Sequence, residues 1–303
     1  MKIAAILSSG LTRSLKAWKG VLIVWIVLFL LVILVASPMK SALSAGLGKS
    51  TITEQLKNGI NADVFADLGP VFKSLTSYLS KGLLMILFVG FVINSFLSGG
   101  LFNSVRSDSG KFSTQEFFRI SAKKFWSILV ISLIMSIMIL SLSIFIVIIP
   151  VSLISMAEKT SEVIIFNSAI LLSSLYLFTV IILLISADYA RAWQASHEKN
   201  ACFRAISFGF RQTFRTFYSS YPLMLIIIII QVIYMWLVVK MLQGIMPQSD
   251  PGIFFLFLIS QILFIIKLFL RSFRYASITA LMEEGLLPGK ENIEPPITAD
   301  QGM

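Results

Sequence analysis

Six long runs of apolar residues constrain this chain more than any other feature of its sequence. A helix needs roughly 17 to 25 consecutive apolar residues to cross the ~30 Å hydrocarbon core of a bilayer. Because a backbone inside lipid must satisfy its own hydrogen bonds, each such run predicts a transmembrane helix. We therefore expect an all-α integral membrane protein with six transmembrane helices. The runs cover about residues 20–36, 79–97, 128–151, 163–187, 221–241 and 253–270.

The composition excludes several classes of site. Hydrophobic residues make up 57% of the 303 residues and charged residues 13%, which is far more apolar than a soluble domain. The single cysteine, Cys202, and the single histidine, His197, exclude an internal disulfide and any site built from several thiols or imidazoles. We therefore expect no metal and no cofactor. The net charge of +10 would suggest nucleic acid for a soluble chain, but these bases flank membrane spans, so we expect no nucleic-acid partner.

The distribution of lysine and arginine predicts the orientation. Eighteen of the 25 basic residues lie in the N-terminal segment, in the segments that follow the second and fourth runs, or at the C-terminal end of the chain. Positively charged segments near spans stay on the cytoplasmic side, so we expect both termini in the cytoplasm and the protein in the inner (cytoplasmic) membrane. A cleaved signal peptide is the alternative for residues 1–36. We favour an uncleaved span because Pro38 spoils the cleavage site.

A basic segment with helical periodicity precedes the first, third and fifth runs. On a helical wheel each segment separates aromatic or aliphatic residues from bases, as Phe203, Phe210 and Phe214 separate from Arg204 and Arg211. Such helices lie in the membrane interface, with their apolar side chains among acyl chains and their bases at the phosphates. We therefore expect three pseudo-repeated hairpins, each preceded by a basic amphipathic interfacial helix.

Two interpretations of these basic segments remain open. The bases either only fix the topology, or they also bind anionic phospholipid headgroups or a membrane protein partner. The candidate headgroup ligands are Arg13, Lys16, Lys19, Arg119, Lys123, Lys124, Arg204, Arg211 and Arg215.

Residues 1–285 form a single polytopic membrane domain in this interpretation. Residues 37–80 form an outer helical segment within it, which is too short for a core of its own and is either a lid or a connector. Residues 286–303 are polar and rich in proline, so we expect a disordered cytoplasmic tail.

Polar residues inside the spans are scarce. The amides at mid-depth are Gln231 and Gln261, each about ten residues from the start of its span. Because these two spans form one hairpin, the amides could bond to each other, and a packing role is favoured over a proton or ion relay.

An acid stands where the fourth run ends. Asp188 follows the uncharged run 163–187, and Arg274 holds the equivalent position at the end of the sixth run, with Arg271 three residues earlier. The fourth and sixth spans cross the membrane in the same direction, so these positions lie at the same depth in the membrane. A lone acid at the edge of hydrocarbon gains most from a close base. We predict a structural pair between hairpins from Asp188 to Arg274 or Arg271, with a local pair to Arg191 as the equally weighted alternative.

The string "SADYARA" around Asp188, together with the three-hairpin plan, resembles uncharacterised bacterial six-span membrane protein families. More distantly it resembles the membrane domain fused to some glycerophosphodiester phosphodiesterases. The resemblance implies a bacterial cytoplasmic membrane protein and a stand-alone membrane module. It carries over no catalytic residue, because the histidine pair and carboxylates of the phosphodiesterase half are absent here.

We expect no enzyme, because paired aspartates, a serine–histidine pair and a phosphate-binding glycine loop are all missing from the sequence. The function favoured by the sequence is a non-enzymatic multi-pass membrane module whose cytoplasmic basic helices engage anionic lipid headgroups or a membrane partner. The alternative is a permease, or a permease subunit, for a small apolar or lipid-like solute. A widened polar cavity that includes Asn94, Gln231 and Gln261 would favour transport.

Overall fold

The computed structural model describes residues 3–47, 69–106, 112–156, 161–198, 200–243 and 250–286, which are helical apart from short turns. A π-helical segment, Ile144–Ile148, joins two of the helices. In chain order the α-helices are α1 (Ile3–Lys16), α2 (Trp18–Leu47), α3 (Gly69–Ser104), α4 (Thr114–Ser143), α5 (Ile149–Met156), α6 (Glu162–Ser196), α7 (Cys202–Arg215), α8 (Phe217–Gln243) and α9 (Asp250–Leu286).

The prediction of a helical protein with six potential membrane spans is confirmed. Within the described residues, six helical stretches are long and apolar enough to cross a bilayer. In the outer segment predicted over 37–80, residues up to 47 continue α2 and residues from 69 belong to α3, and the part between them lies outside the described residues. The predicted tail lies outside them from residue 287 onward.

The three basic segments differ in how they join the following span. Single turn residues, Ala17 and Thr216, separate α1 from α2 and α7 from α8. The second basic segment has no such break, because α4 runs without interruption from Thr114 through the first part of the third span. The expectation of a separate interfacial helix before every hairpin is therefore wrong for the second hairpin. Ser113 caps this helix by accepting a hydrogen bond from the Glu116 backbone N–H at 3.5 Å.

The π-helical segment in the third span has a local cause. Pro150 follows it immediately, in the first turn of α5. Proline has no N–H to donate and its ring clashes with the carbonyl four residues earlier, so the preceding turn widens. The span therefore continues past a proline instead of ending there.

Buried side chains are concentrated at one end of the helical bundle. Among the described residues, every buried side chain falls within 6–31, 95–135, 181–227 or 268–282. These ranges cover α1, α7 and the span ends next to the basic segments. The remaining halves of the spans expose leucine, isoleucine and phenylalanine, as lipid-facing helices do. The molecule therefore has one tightly packed end, which we call the packed end.

Each basic segment packs against the last part of an apolar span through a glycine and a serine. A methyl group on Gly10 of α1 would overlap Ser277 of α9, and one on Gly209 of α7 would overlap the carbonyl oxygen of Ser186 in α6. A methyl group on Gly100 of α3 would lie 2.6 Å from the hydroxyl of Ser121 in α4. Small residues permit such close approach of helices in membranes. The contacts run from hairpin to hairpin and return from the third to the first.

Candidate functional site

Helix α7 presents three different faces. Ala205, Gly209 and Thr213 are buried against α6 and the neighbouring core. Arg204, Arg211 and Arg215 are exposed on the other side. Between them lie two exposed phenylalanines, Phe203 at 74% and Phe214 at 64%. An exposed apolar strip beside exposed bases is the arrangement that binds a membrane interface.

Helix α1 has the same three faces. Ile6, Gly10 and Ser14 are buried, Leu11 and Leu15 are exposed, and the exposed Trp18 follows at the start of α2. Lys16 and Lys19 are exposed, and the Lys19 ammonium lies 6.0 Å from the centre of the Trp18 ring. Arg13 differs from these two lysines. Its side chain is 20% exposed and its Nη1 lies 2.6 Å from Glu283 Oε2 of α9.

The three candidate ligands in α4 lie in different surroundings. Arg119 is exposed and forms an ion pair with Glu116 at 2.7 Å, one turn earlier in the same helix. Lys123 is exposed as well. Lys124 is only 2% exposed, and its ammonium donates to the carbonyl oxygens of His197 at 2.5 Å and Glu198 at 2.8 Å.

Lys124 is therefore no headgroup ligand, and the interpretation of this residue from the sequence is corrected. The sequence suggested it as a headgroup ligand because it lies in a basic segment, but the end of α6 covers that side of α4. The ammonium caps the C-terminal end of α6, where free carbonyl oxygens attract a cation. We call the exposed set the basic collar, consisting of Lys16, Lys19, Arg119, Lys123, Arg204, Arg211 and Arg215.

A separate cluster of charges lies inside the packed end, around Asp188. The Asp188 side chain is fully buried, with 0% exposure. Arg191 Nη1 donates to Asp188 Oδ1 at 3.2 Å from one turn along the same helix. Arg274 Nε of α9 lies 3.0 Å from Asp188 Oδ2, but the N–H direction is not aligned for a hydrogen bond. The carboxylate therefore contacts both the local arginine and the one from the third hairpin.

Arg271, the other partner suggested for Asp188, turns to the first hairpin instead. Its guanidinium donates to the Asn94 side-chain oxygen and, at 3.1 Å, to the Ser98 hydroxyl, both of α3. Its Nε donates to the Tyr275 hydroxyl at 2.7 Å. Arg271 thus ties α9 to α3, while Arg274 contacts α6.

Buried aromatic rings hold this cluster in place. Tyr275 is buried and stacks on Phe102 of α3, with ring centres 4.3 Å apart. The guanidinium carbons of Arg271 and Arg274 lie 5.1 and 5.3 Å from the centre of the Tyr275 ring. Stacking and cation–π contacts of this kind fix the side chains of the arginines.

The two mid-depth amides contact separate neighbours rather than each other. Gln261 accepts a hydrogen bond from the Trp25 indole at 3.2 Å, which joins the third hairpin to the first. Gln231 donates to the carbonyl oxygen of Leu270 at 3.4 Å within its own hairpin. Both amides therefore contribute to contacts between helices.

Several participating residues were not identified from the sequence. The sequence suggested Asn94 only as a possible cavity-lining residue, it indicated no role for Ser98, and Glu283 lies beyond the last apolar run. Their partners come from helices far apart in the chain, 177 residues apart for Asn94 and Arg271. The sequence did indicate that Glu283 belongs to the same helix, because the helical periodicity of the sixth run continues as far as that residue.

Comparison with known proteins returned no matching protein family, no matching curated protein and no matching solved structure. The basic collar and the charge cluster around Asp188 are therefore the features that indicate a function.

Proposed function

We propose that this chain is a non-enzymatic multi-pass protein of the bacterial cytoplasmic membrane whose basic collar binds anionic phospholipid headgroups. One observation carries the proposal. In α1 and in α7 a buried face with a closely packed glycine, an exposed apolar strip and an exposed basic side occur on the same short helix. A helix with a merely water-facing outer surface has no reason to expose Phe203 and Phe214 beside arginines.

The three faces of each helix contact different parts of the protein and of the membrane. The buried face fixes the helix to the bundle, the exposed rings enter the boundary between headgroups and acyl chains, and the bases reach the phosphates. Each base near an anionic surface contributes ~1 kcal/mol. The collar residues together therefore supply enough binding free energy to retain anionic lipid at moderate ionic strength.

The proposal includes an orientation and a repeated plan. The collar lies at the packed end, together with the described start of α1 and the described end of α9, so the positive-inside rule assigns this end to the cytoplasm. The glycine–serine contacts between successive hairpins support three pseudo-repeated units that close into a ring.

The test compares lipids retained by the purified protein. Arg204, Arg211 and Arg215 are replaced together by glutamine, and phospholipids that stay bound after extraction in an uncharged detergent are identified by mass spectrometry. The matched control replaces three exposed lysines far from the packed end, Lys40, Lys81 and Lys240, by glutamine. Both variants lose three positive charges, so the total charge cannot explain a difference between them.

We expect the collar variant to lose most of its phosphatidylglycerol and cardiolipin and the control to retain them. Equal retention in both variants would contradict the proposal. Loss of a co-purifying protein instead of lipid would favour the membrane partner. The space beside Arg271 and Asn94 amounts to about 10 Å³, room for about one water molecule, so it does not favour the permease alternative.

A further inference from the structure

The arginines beside Asp188 have more hydrogen-bond donors than their described neighbours have acceptors. Each guanidinium carries five N–H groups. Arg191 Nη1 donates to Asp188 Oδ1, and Arg274 Nε lies 3.0 Å from Asp188 Oδ2. The Nε atoms of both arginines are buried without an aligned acceptor. An acceptor supplied by a ligand would remove this cost.

The charges of the cluster are also unequal. Among the described residues, Arg191, Arg271 and Arg274 surround Tyr275, and Asp188 is the acid beside them. Arg271 is bound by neutral groups, Asn94, Ser98 and Tyr275, so its charge is not neutralised there. Excess positive charge at the edge of a hydrocarbon region is costly and favours an anion.

The side chains of Arg191 and Arg274 are partly exposed, although the acid between them is closed off. The side chains of Arg191 and Arg274 are 16% and 15% exposed, and that of Asp188 is 0% exposed. An anion can therefore approach the arginines from the surface of the packed end without displacing Asp188. Both planar guanidiniums contact the Asp188 carboxylate, and two such groups side by side can bind the several oxygens of a phosphate group.

We propose that Arg191 and Arg274, beside the buried Asp188, form a binding site for a phosphate oxyanion. The ligand is either the phosphate of a phospholipid headgroup or a free phosphate, since both present the same oxygens. The site uses none of the collar residues, so it does not rest on the function proposed above.

The test measures binding of inorganic phosphate to the full chain by isothermal titration calorimetry in an uncharged detergent, with chloride adjusted to constant ionic strength. Arg191→Lys and Arg274→Lys keep the positive charge but lose the planar fork. We expect each substitution to weaken phosphate binding about tenfold to a hundredfold. Arg13→Lys, at an arginine outside the basic collar that pairs with Glu283, is the matched control and should bind as the wild type does.

Asp188→Asn should change the affinity for phosphate in the opposite direction. Removing the competing negative charge should tighten phosphate binding about tenfold, whereas mere damage to the fold can only weaken it. Binding equal to the wild type in both lysine variants, or no phosphate binding to the wild type, would overturn the proposal. Weaker binding in the control would also overturn the proposal, because phosphate binding would then depend on arginines in general and not on Arg191 and Arg274.

The source of the phosphate group is decided by a second measurement. Native mass spectrometry of the wild type and of the double variant Arg191→Lys/Arg274→Lys detects retained phospholipid. A phospholipid held by the wild type, lost from the double variant and displaced by inorganic phosphate supports a headgroup ligand. Calorimetric phosphate binding without such a phospholipid supports free phosphate. Failure of the collar variant to lose lipid leaves these results unchanged, because different residues are substituted.

Discussion

Asp188 shows what a single residue contributes to this fold. Its carboxylate is fully buried and contacts Arg191 of its own helix and Arg274 of the third hairpin. The sequence offered the local and the distant pair as alternatives, and in the structure one carboxylate contacts both arginines. Sequence spacing alone could not show this, because it says nothing about which side chains share one acceptor.

We expect Asp188→Asn to lower the free energy of unfolding by about 3 kcal/mol, because it leaves buried guanidinium charge uncompensated. Reversible unfolding in mixed micelles measures this. A double-mutant cycle with Arg274→Gln should give a coupling free energy of at least ~1 kcal/mol. The control cycle pairs Asp188→Asn with Arg13→Gln, whose arginine contacts Glu283 instead, and should be additive to within ~0.5 kcal/mol. Additivity in both cycles would show that the contact between hairpins has no energetic role.

Neighbouring lysines in α4 provide the second prediction at this scale. Lys124 is buried and donates to carbonyl oxygens at the end of α6, whereas Lys123 is exposed. We expect Lys124→Gln to destabilise the protein by about 1.5–3 kcal/mol, because hydrogen bonds from a charged donor are lost. Lys123→Gln should change stability by less than ~0.5 kcal/mol. Equal effects on the thermal unfolding temperature would mean that the buried contact is not a stabilising one.

At the scale of helices, what could be predicted from the sequence depends on whether a local signal existed. The six spans follow from apolar length, and the start of α4 follows from the capping pair Ser113 and Glu116. The continuity of α4 with the third span could not be predicted, because α1 and α7 carry the same basic pattern but end in a turn. In α1 the small residue Gly10 packs against α9, whereas the larger Leu11 and Leu15 are exposed, which apolar periodicity alone does not indicate.

The glycines at helix contacts give a prediction at this scale. Gly209→Ala places a methyl group against the carbonyl oxygen of Ser186 and 3.1 Å from the Ala190 methyl group, so α7 must move away from α6. We expect a loss of about 1–3 kcal/mol. Gly90→Ala is the matched control, since its methyl group would lie 3.8 Å from Leu31, an ordinary contact, and helix propensity then favours alanine.

Thermal unfolding in uncharged detergent compares the two variants. The Gly209→Ala protein should also lose lipid retention, because a displaced α7 carries the exposed arginines of the collar with it. An unfolding temperature for Gly209→Ala equal to or above that for Gly90→Ala would contradict the close approach of the two helices.

At the scale of the whole molecule, buried residues are confined to the end where the basic segments meet the spans. Lipid tails are as apolar as leucine, so helices in a membrane associate through small residues and polar contacts rather than through the hydrophobic effect. Gly10, Gly100 and Gly209 lie at the packed end, as does Asp188. The rest of each span is rich in large apolar residues that suit lipid. Packing and charge therefore both distinguish this end, which makes its orientation testable.

We expect the packed end to face the cytoplasm, because the positive-inside rule and the even number of spans place the ends of α1 and α9 there together. Single cysteines at exposed positions in a Cys202→Ser background test this with a membrane-impermeant maleimide. Ser8→Cys and Ser207→Cys, at the packed end, should react in inverted vesicles but not in intact cells. Ser155→Cys lies near the end of α5, on the side of the bundle opposite the packed end, and should react in intact cells.

Detergent-permeabilised membranes are the control for this labelling, since all three cysteines should react there. Labelling of Ser8→Cys in intact cells would reverse the orientation and place the basic collar on the outer surface. Labelling of Ser8→Cys and Ser155→Cys from the same side would contradict the span count between them, because three spans separate α1 from the end of α5. With an inward-facing packed end, the arginines near Asp188 lie at the cytoplasmic leaflet, where anionic headgroups and phosphate are both within reach.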